Sequence, residues 1–269
     1  MHLAERFLVK PGSRVRLRDR DPDDTAGLGG SADAKPLLEE NLARLQDLQY
    51  LLYAENRRAV LVIFQAMDAG GKDGTIRHVL GPLNPQGVRV TSFRTPTEEE
   101  LAHDFLWRIH RAAPRHGEIG VFNRSHYEDV LIVRVRDLVP KRVWSKRYVH
   151  INAFEAMLAD SGVVLLKCFL HISKEEQLRR FRKRVEDPSK YWKANLQDFD
   201  ERKAWDDYTR AYEAALSRCS TERAPWFVIP ANKKWFRNLA VSQILRERLE
   251  ALKMAFPKPS FDVSTVDLA

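Results

Sequence analysis

The sequence predicts an α/β domain, a parallel sheet of about five strands with helices on both faces. Three observations carry that expectation. Apolar runs without alternation, at 60–64 and 163–170, read as strands buried on both faces. Segments with helical spacing separate the strands, which is the order of βαβ units in a parallel sheet. The first apolar run then breaks into Asp68-Ala69-Gly70-Gly71-Lys72-Asp73-Gly74, a glycine-rich turn at the carboxyl end of a strand, where open α/β sheets bind ligands.

Taken in order, residues 1–33 alternate weakly (Phe7, Val9, Val15, Leu17) and end in Gly-Leu-Gly-Gly, which reads as an extended arm and a flexible joint. From Pro36, leucines at 38, 42, 45, 48 and 52 mark an amphipathic helix to about Asn56 that packs on the body or on a second subunit. Strands are expected at 59–65, 87–93, 119–122, 163–170 and 225–230. The helix after the glycine turn runs from about Lys72 to Leu80. Thr97 and Glu100 form a capping-box signature for a helix continued by Leu101, Phe105, Leu106 and Ile109. Val143, Ile151, Phe154, Met157 and Leu158 mark the buried side of a long helix, and Ser173 with Glu176 caps the next. On that helix Leu178, Phe181 and Val185 are the packed side, while Arg180 and Arg184 share another face until Asp187-Pro188 interrupts it. Trp205, Tyr208, Tyr212 and Leu216 mark a further helix, and 235–254 the last. With 269 residues and 44% hydrophobic content this is one domain, 34–256, carrying a lid at about 178–200 and followed by a loose tail, 257–269.

The glycine turn has the parts of a phosphate cradle. Gly70, Gly71 and Gly74 let backbone N–H groups face an anion, the following helix adds its positive end, and Lys72 adds a mobile charge. The bland alternative is an ordinary strand-to-helix turn. Relative to the Walker A pattern, Ala66 replaces the first glycine and Asp73 the magnesium-binding hydroxyl. Asp68 would repel a bound phosphate unless a divalent cation lay between them, so it reads as a metal ligand or a base. At the end of the third strand, Asn-Arg-Ser-His-Tyr-Glu-Asp at 123–129 forms a second polar cluster. His126 suits either a phosphate contact or a structural role, and Trp107, Trp205 and Trp226 read as core.

Net charge is +8, and the excess is clustered. Arg134, Arg136, Lys141, Arg142, Lys146 and Arg147 face only Asp137 in their block, and 174–193 is a second basic block. Two such blocks imply a polyanionic partner, against the usual reading of a charge run as a solvated helix face. Cys168 and Cys219 lie in unrelated contexts, without metal-ligand spacing, so neither a disulfide framework nor a zinc site is expected. The absence of a long apolar run or signal-like start points to a cytoplasmic protein that does not bind membranes. A cradle, a carboxylate for a metal and a set of cations are the parts of a phosphoryl-transfer site, with the interrupted helix as a closing lid.

Five segments together resemble one family. They are 65–75 (Gln-Ala-Met-Asp-Ala-Gly-Gly-Lys-Asp-Gly-Thr), 93–97 (Phe-Arg-Thr-Pro-Thr), 122–131 (Phe-Asn-Arg-Ser-His-Tyr-Glu-Asp-Val-Leu), 187–193 (Asp-Pro-Ser-Lys-Tyr-Trp-Lys) and 224–232 (Ala-Pro-Trp-Phe-Val-Ile-Pro-Ala-Asn). The chain is similar to the family-2 polyphosphate kinases in this order over about 35–256. The resemblance implies a three-layer, thymidylate-kinase-like P-loop fold, and reversible transfer of phosphate between inorganic polyphosphate and a nucleotide, with magnesium or, in its place, manganese. It assigns catalysis to Asp68, Lys72, Arg124 and Glu128, with Asp68 as metal ligand. Phosphate and nucleotide contacts fall to Ala69, Gly70, Gly71, Asp73, Gly74, Thr75, Asn123 and Asp129, and polyphosphate contacts to Arg134, Arg180, Arg184, Lys190 and Lys193. The family's commoner second motif, Asp-Arg-Ser-Trp-Tyr-Asn-Arg, has an acid where this chain has Asn123, which throws more weight on Asp68. The version with Glu128 resembles the subgroup that phosphorylates both AMP and ADP, yielding ADP and ATP. Dimers or tetramers are also implied. The rival readings are an ATP-dependent nucleoside monophosphate kinase, which leaves the basic blocks unexplained, and a nucleic-acid-binding P-loop protein, for which no recognition module is visible.

Overall fold

The computed structural model describes residues 2–193 and 196–263, and only the backbone of Lys193, Leu196 and Gln197. The chain runs α1 (Leu3–Phe7), α2 (Ser31–Glu55), β1 (Ala59–Ala66), α3 (Lys72–Thr75), β2 (Val88–Ser92), α4 (Glu98–Ala102), α5 (Trp107–Ala112), β3 (Ile119–Asn123), α6 (Ile132–Val135), α7 (Lys141–Asp160), β4 (Val163–His171), α8 (Lys174–Glu186), α9 (Leu196–Lys203), α10 (Trp205–Cys219), β5 (Trp226–Pro230) and α11 (Lys234–Glu250). The five strands form one sheet in the order β2-β3-β1-β4-β5, all parallel. Among the described residues no helix is long and apolar enough to cross a membrane.

The central strand shows why the sheet has two covered faces. Every residue of β1 is buried. Val60, Val62 and Phe64 join the larger core, under α1, α2 and α11, while Leu61 and Ile63 join a second core with Ile109, Phe154 and Leu158. That is the period-two division of a strand between two layers. Register pairs Phe64 with Asn123 on β3 and with Cys168 on β4, so the strand ends carrying the two polar motifs lie side by side. Both cysteines are free and buried.

The N-terminal segment, expected over residues 1–33 as an extended arm and a flexible joint, packs onto the body of the domain. Leu3, Phe7, Val9, Val15 and Leu17 are all buried. The Val9 N–H donates to the Trp226 carbonyl at 2.8 Å, and Leu8 bridges Phe227 antiparallel. The segment covers the open edge of β5, an edge that would otherwise present unpaired backbone groups. Further differences are local. α2 begins at Ser31, ahead of Pro36, because Asp33 accepts the Gly30 N–H at 3.2 Å. Its Leu45, Leu48 and Leu52 are consumed inside the chain, leaving Tyr50 and Tyr53 exposed. The helix expected from Thr97 to Ile109 is broken at 103–106. The Thr97–Glu100 box forms, but Asp104 accepts from the Leu106 N–H at 2.9 Å, and this local turn competes with the helix. On α7 the buried stripe is Trp144, Tyr148, Ile151, Phe154 and Leu158, while Met157 is exposed. On α8 Val185 is exposed, and Gln177, Arg180 and Phe181 face inward, because that helix lies against the glycine loop as well as the apolar core. Of the three tryptophans expected in the core, Trp226 is buried, whereas Trp107 and Trp205 are half-buried.

Candidate active site

The loop after β1 is held by its own backbone. The Gly70 N–H donates to the Met67 carbonyl at 2.9 Å and the Thr75 N–H to the Gly71 carbonyl at 3.0 Å. A Cβ on Gly70 would stand 2.4 Å from the Ala66 Cβ, and Gly71 has φ +102°, so neither position takes a side chain without distortion. Ala69 also has positive φ, at 60°. Thr75 is buried, and its hydroxyl donates to the Gly71 carbonyl at 3.1 Å. It closes the loop and does not line the cavity, a correction to its expected phosphate contact. The residues from Ala69 to Gly74 do line it. Behind them α3 is one turn long and passes into a π-helical turn over 76–80.

Lys72 is partly buried with its Nζ 3.4 Å from the Ala66 carbonyl. Burial and then Arg124 push its pKa below the usual lysine value, while Asp68, Glu128 and Asp73 oppose them. Arg124 follows β3 with φ 64°, and its N–H donates to the Phe64 carbonyl at 3.1 Å, which fixes the loop's neighbour strand at this level. Its guanidinium stands 3.4 Å from Asp68. Burial disfavours that charge, but Glu128 and Asp68 outweigh it and raise the pKa. The Asn123 amide donates to Asp73 at 2.6 Å, tying the end of β3 to the phosphate loop. An asparagine here braces the loop as a hydrogen-bond donor, where an acid would meet Asp73 with like charge.

The turn holding Glu128 has a charged support beneath it. Ser125 accepts the Tyr127 N–H at 3.2 Å. The Tyr127 hydroxyl donates to Glu155 Oε1 at 2.9 Å, and Lys167 Nζ donates to Glu155 Oε2 at 2.5 Å. His126 stands 3.2 Å from Glu155 and is fully buried; burial holds its pKa below the usual value, so it is a neutral structural histidine. Burial opposes ionisation of Glu155, but Lys167 and the His126 hydrogen bond prevail and hold its pKa down.

Two cavities meet at this loop. The larger, about 820 Å³, is lined by the loop, Arg180, Arg184, Lys190, Lys234 and Arg237, and its basic groups outnumber Asp68, Asp73 and Asp198. The smaller, about 290 Å³, lies beside Glu128 and Thr95 and has Trp205, Tyr208 and Tyr212 on its wall. Asp68, Arg94, Arg124 and Asp198 line both. Arg94, Asp198, Lys234 and Arg237 carried no expectation from the sequence. Arg94 lies in the Phe-Arg-Thr-Pro-Thr segment, a signal that could have found it; the others have no local signature.

Several expected ligand contacts have other occupations. Arg180 is only 7% exposed; it donates to Glu176 (2.6 Å), to the Ala69 carbonyl (2.8 Å) and to the Ala231 carbonyl (2.5 Å), so it clamps the loop to α8 and the end of β5. Arg184 pairs with Asp198 at 3.0 Å across the lid, and Lys190 with Asp187. The side chain of Lys193 lies outside the described residues. Arg134 does not line either cavity: it donates to the Tyr148 hydroxyl at 3.3 Å and stacks over Trp144. Arg136 and Arg147 pair with Glu201 and Asp129. The 134–147 block therefore dissolves into intramolecular pairs, leaving Lys141, Arg142 and Lys146 exposed on α7.

Asp129 points away from the loop, to Arg147 at 2.8 Å, a correction to its expected nucleotide contact. Burial raises its pKa to about 6 against the pull of Arg147. The unfolded carboxyl releases its proton near the ordinary 3.8, so the folded chain holds the extra proton between those values, and stability falls as pH rises through that window. Asp129→Asn removes the titration. Its stability relative to wild type is expected to rise by about 2–3 kcal/mol between about pH 3.5 and 7, from roughly 1.4 kcal/mol per pH unit. Urea titrations at both pH values read this, and a flat difference would mean that Asp129 ionises like an exposed carboxylate.

The donor set suits a metal shared with a ligand. Among the described residues no group of three His, Cys, Asp or Glu side chains converges to hold an ion alone. Magnesium keeps waters and binds through one or two carboxylates plus substrate phosphates. Asp68 fits that role, with Asp198 near enough that burial and then the charge of Asp68 raise the Asp198 pKa.

A parallel sheet with a glycine-lysine loop after its central strand, opening on a cationic cavity, defines a P-loop phosphotransferase. The family model described as Polyphosphate kinase 2 (PPK2) matches residues 31–257, and the chain belongs to that family. It is 56% identical over 256 residues to the AMP/ADP-polyphosphate phosphotransferase of Meiothermus ruber, covering 95% of this chain and 96% of that one. It is 52% identical over 234 residues to an ADP-polyphosphate phosphotransferase of Rhodopseudomonas palustris, covering 82% and 81%. The crystal structure of polyphosphate kinase 2 from Arthrobacter aurescens TC1 superposes with a TM-score of 0.94 at 46% identity, covering 97% and 94%.

Proposed function

We propose that this chain transfers the terminal phosphate of inorganic polyphosphate to AMP and to ADP, reversibly. The observation that carries this reading is the wall between the two cavities. The larger cavity has the charge to hold a polyanionic donor, the smaller has aromatic side chains and Glu128 for a nucleotide, and Asp68 and Arg124 stand where the two substrates meet. An oxygen of the acceptor's terminal phosphate attacks the end phosphorus in line, and the bond to the next bridging oxygen breaks. Lys72 and Arg124 neutralise charge on the transferred group from loop and strand end, positions fixed before the substrates arrive. Magnesium, or manganese in its place, would be held by Asp68 together with the substrate phosphates and would offset their charge. The mixed apolar and acidic lining of the smaller cavity supports the acceptor role, and Glu128 there supports use of both AMP and ADP. Names of relatives that act on AMP, ADP or both point the same way.

The test is a magnesium-dependent assay with long-chain polyphosphate and AMP, the nucleotides being chromatographed over time. ADP followed by ATP is expected. If AMP stays untouched while ADP becomes ATP, the dual-acceptor part falls. If only ATP serves as donor to AMP, the protein is a nucleoside monophosphate kinase of the ordinary kind.

A further inference from the structure

Arg237 lies in the first turn of α11, directly beneath the phosphate loop. A Cβ on Gly71 would come within 2.0 Å of its Nη1, and one on Gly74 within 3.3 Å of its Nη2. The residue is 2% exposed, yet it lines the larger cavity. Its Nε and Nη2 both donate to the same Asn238 Oδ1, at 3.1 and 2.8 Å. Nη1 has no hydrogen bond among the described residues.

Among the described residues no carboxylate offsets this charge. Burial and then Arg180 lower its pKa to about 10. Lys234, also on the cavity wall, is exposed but likewise ringed by cations: partial burial and then Arg180, Arg237, Lys183 and Arg179 lower its pKa, and among the described residues no carboxylate opposes them. Arg180 differs, because Glu176 and the Ala69 and Ala231 carbonyls occupy its donors. An ion held away from water without a counter-ion is costly, and such a group persists where a ligand completes it. The cavity wall beside Nη1 is therefore suited to an anionic ligand. Arg237 and Lys234 line the larger cavity alone and take no part in the wall shared with the smaller one.

We propose that Arg237, with Lys234 beside it, binds the donor phosphate next to the one transferred, and so stabilises the leaving group. This rests on the donor-and-acceptor reading of the two cavities given above. As the acceptor oxygen bonds to the terminal phosphorus, the bond from that phosphorus to the bridging oxygen breaks and its electron pair stays on the shortened chain. Nη1 donates a hydrogen bond to that phosphate and keeps its proton throughout.

The test compares wild type, Arg237→Gln and Arg237→Lys in thermal unfolding with and without inorganic triphosphate, and in steady-state kinetics. Without ligand, Arg237→Gln is expected to melt no lower than wild type, since it removes an uncompensated charge. It should lose most of the rise in Tm that triphosphate gives wild type, and its kcat/KM for polyphosphate should fall about 100-fold. KM for ADP should hold, and Arg237→Lys should recover part of the loss. If Arg237→Gln melts lower without ligand and keeps the full triphosphate shift, Arg237 is a strut for the loop and the proposal is overturned. If triphosphate does not raise the Tm of wild type itself, the donor reading of the larger cavity falls, and this proposal with it.

Discussion

Asp68→Asn is expected to lower kcat about 10³-fold while leaving the fold intact. The residue's structural and chemical duties are separable. Its backbone carbonyl accepts from Gln177 at 3.0 Å, so the loop stays pinned to α8 whatever the side chain is. The carboxylate is 27% exposed and its partner Arg124 stands at 3.4 Å, an arrangement of the kind worth at most about 1 kcal/mol to stability. Arg124 keeps Glu128 as a second acidic neighbour. On the proposed function, what the variant loses is a loop carboxylate that shares a cation with the substrate phosphates, and charge neutralisation of that kind supplies several kcal/mol at the transition state. A 10³-fold loss corresponds to about 4 kcal/mol. Initial rates at saturating polyphosphate and magnesium, set beside the melting curve, separate the two duties. A loss of less than about tenfold would remove Asp68 from the chemistry.

Lys167→Met is expected to be the most destabilising single change, at about 3–5 kcal/mol, because it breaks a buried ion pair and leaves one charge behind. Lys167 is 0% exposed on β4, and its ammonium donates to Glu155, the Tyr127 hydroxyl and the Cys219 carbonyl. Glu155 is 1% exposed, and with the lysine gone its remaining side-chain partners are His126 and Tyr127, neither of which replaces the ammonium's fixed charge. Adding Glu155→Gln should restore part of the loss, since an amide costs less to bury than an unpaired carboxylate. His126 and Tyr127 belong to the turn between Arg124 and Glu128, so activity should fall with stability in the single variant and recover in the double. Urea unfolding measures the stabilities, and a loss below about 1 kcal/mol would show that the pair is not what holds the turn.

Features that depend on near neighbours in the chain were readable in advance. The doubly buried strands follow from unbroken apolar runs, and the loop from glycines at 70, 71 and 74 beside Lys72. The 123–129 cluster that holds Arg124 and Glu128 was legible because it follows a strand whose carboxyl end faces the crevice of an open sheet. The N-terminal segment was misread because Phe7, Val9, Val15 and Leu17 alternate too weakly to reveal that β5 leaves an edge open for them. Three arginines of the 134–147 block are a similar case. Their charge was visible, but Glu201, Asp129 and Tyr148, which occupy Arg136, Arg147 and Arg134, lie on other elements.

By itself the sequence determined the α/β sheet and the glycine loop, and it singled out Asp68, Lys72 and Arg124, which the fold brings to one cavity, because backbone conformation and apolar periodicity are set within a few residues. Only the tertiary structure decided which cations are free to meet a ligand. Arg180 is spent on Glu176 and on the Ala69 and Ala231 carbonyls, while Arg237, unremarkable in the sequence, lies under the same loop with no counter-ion among the described residues. A charge is neutralised by whatever folding brings within a few ångströms of it, and for these residues the partners come from distant parts of the chain.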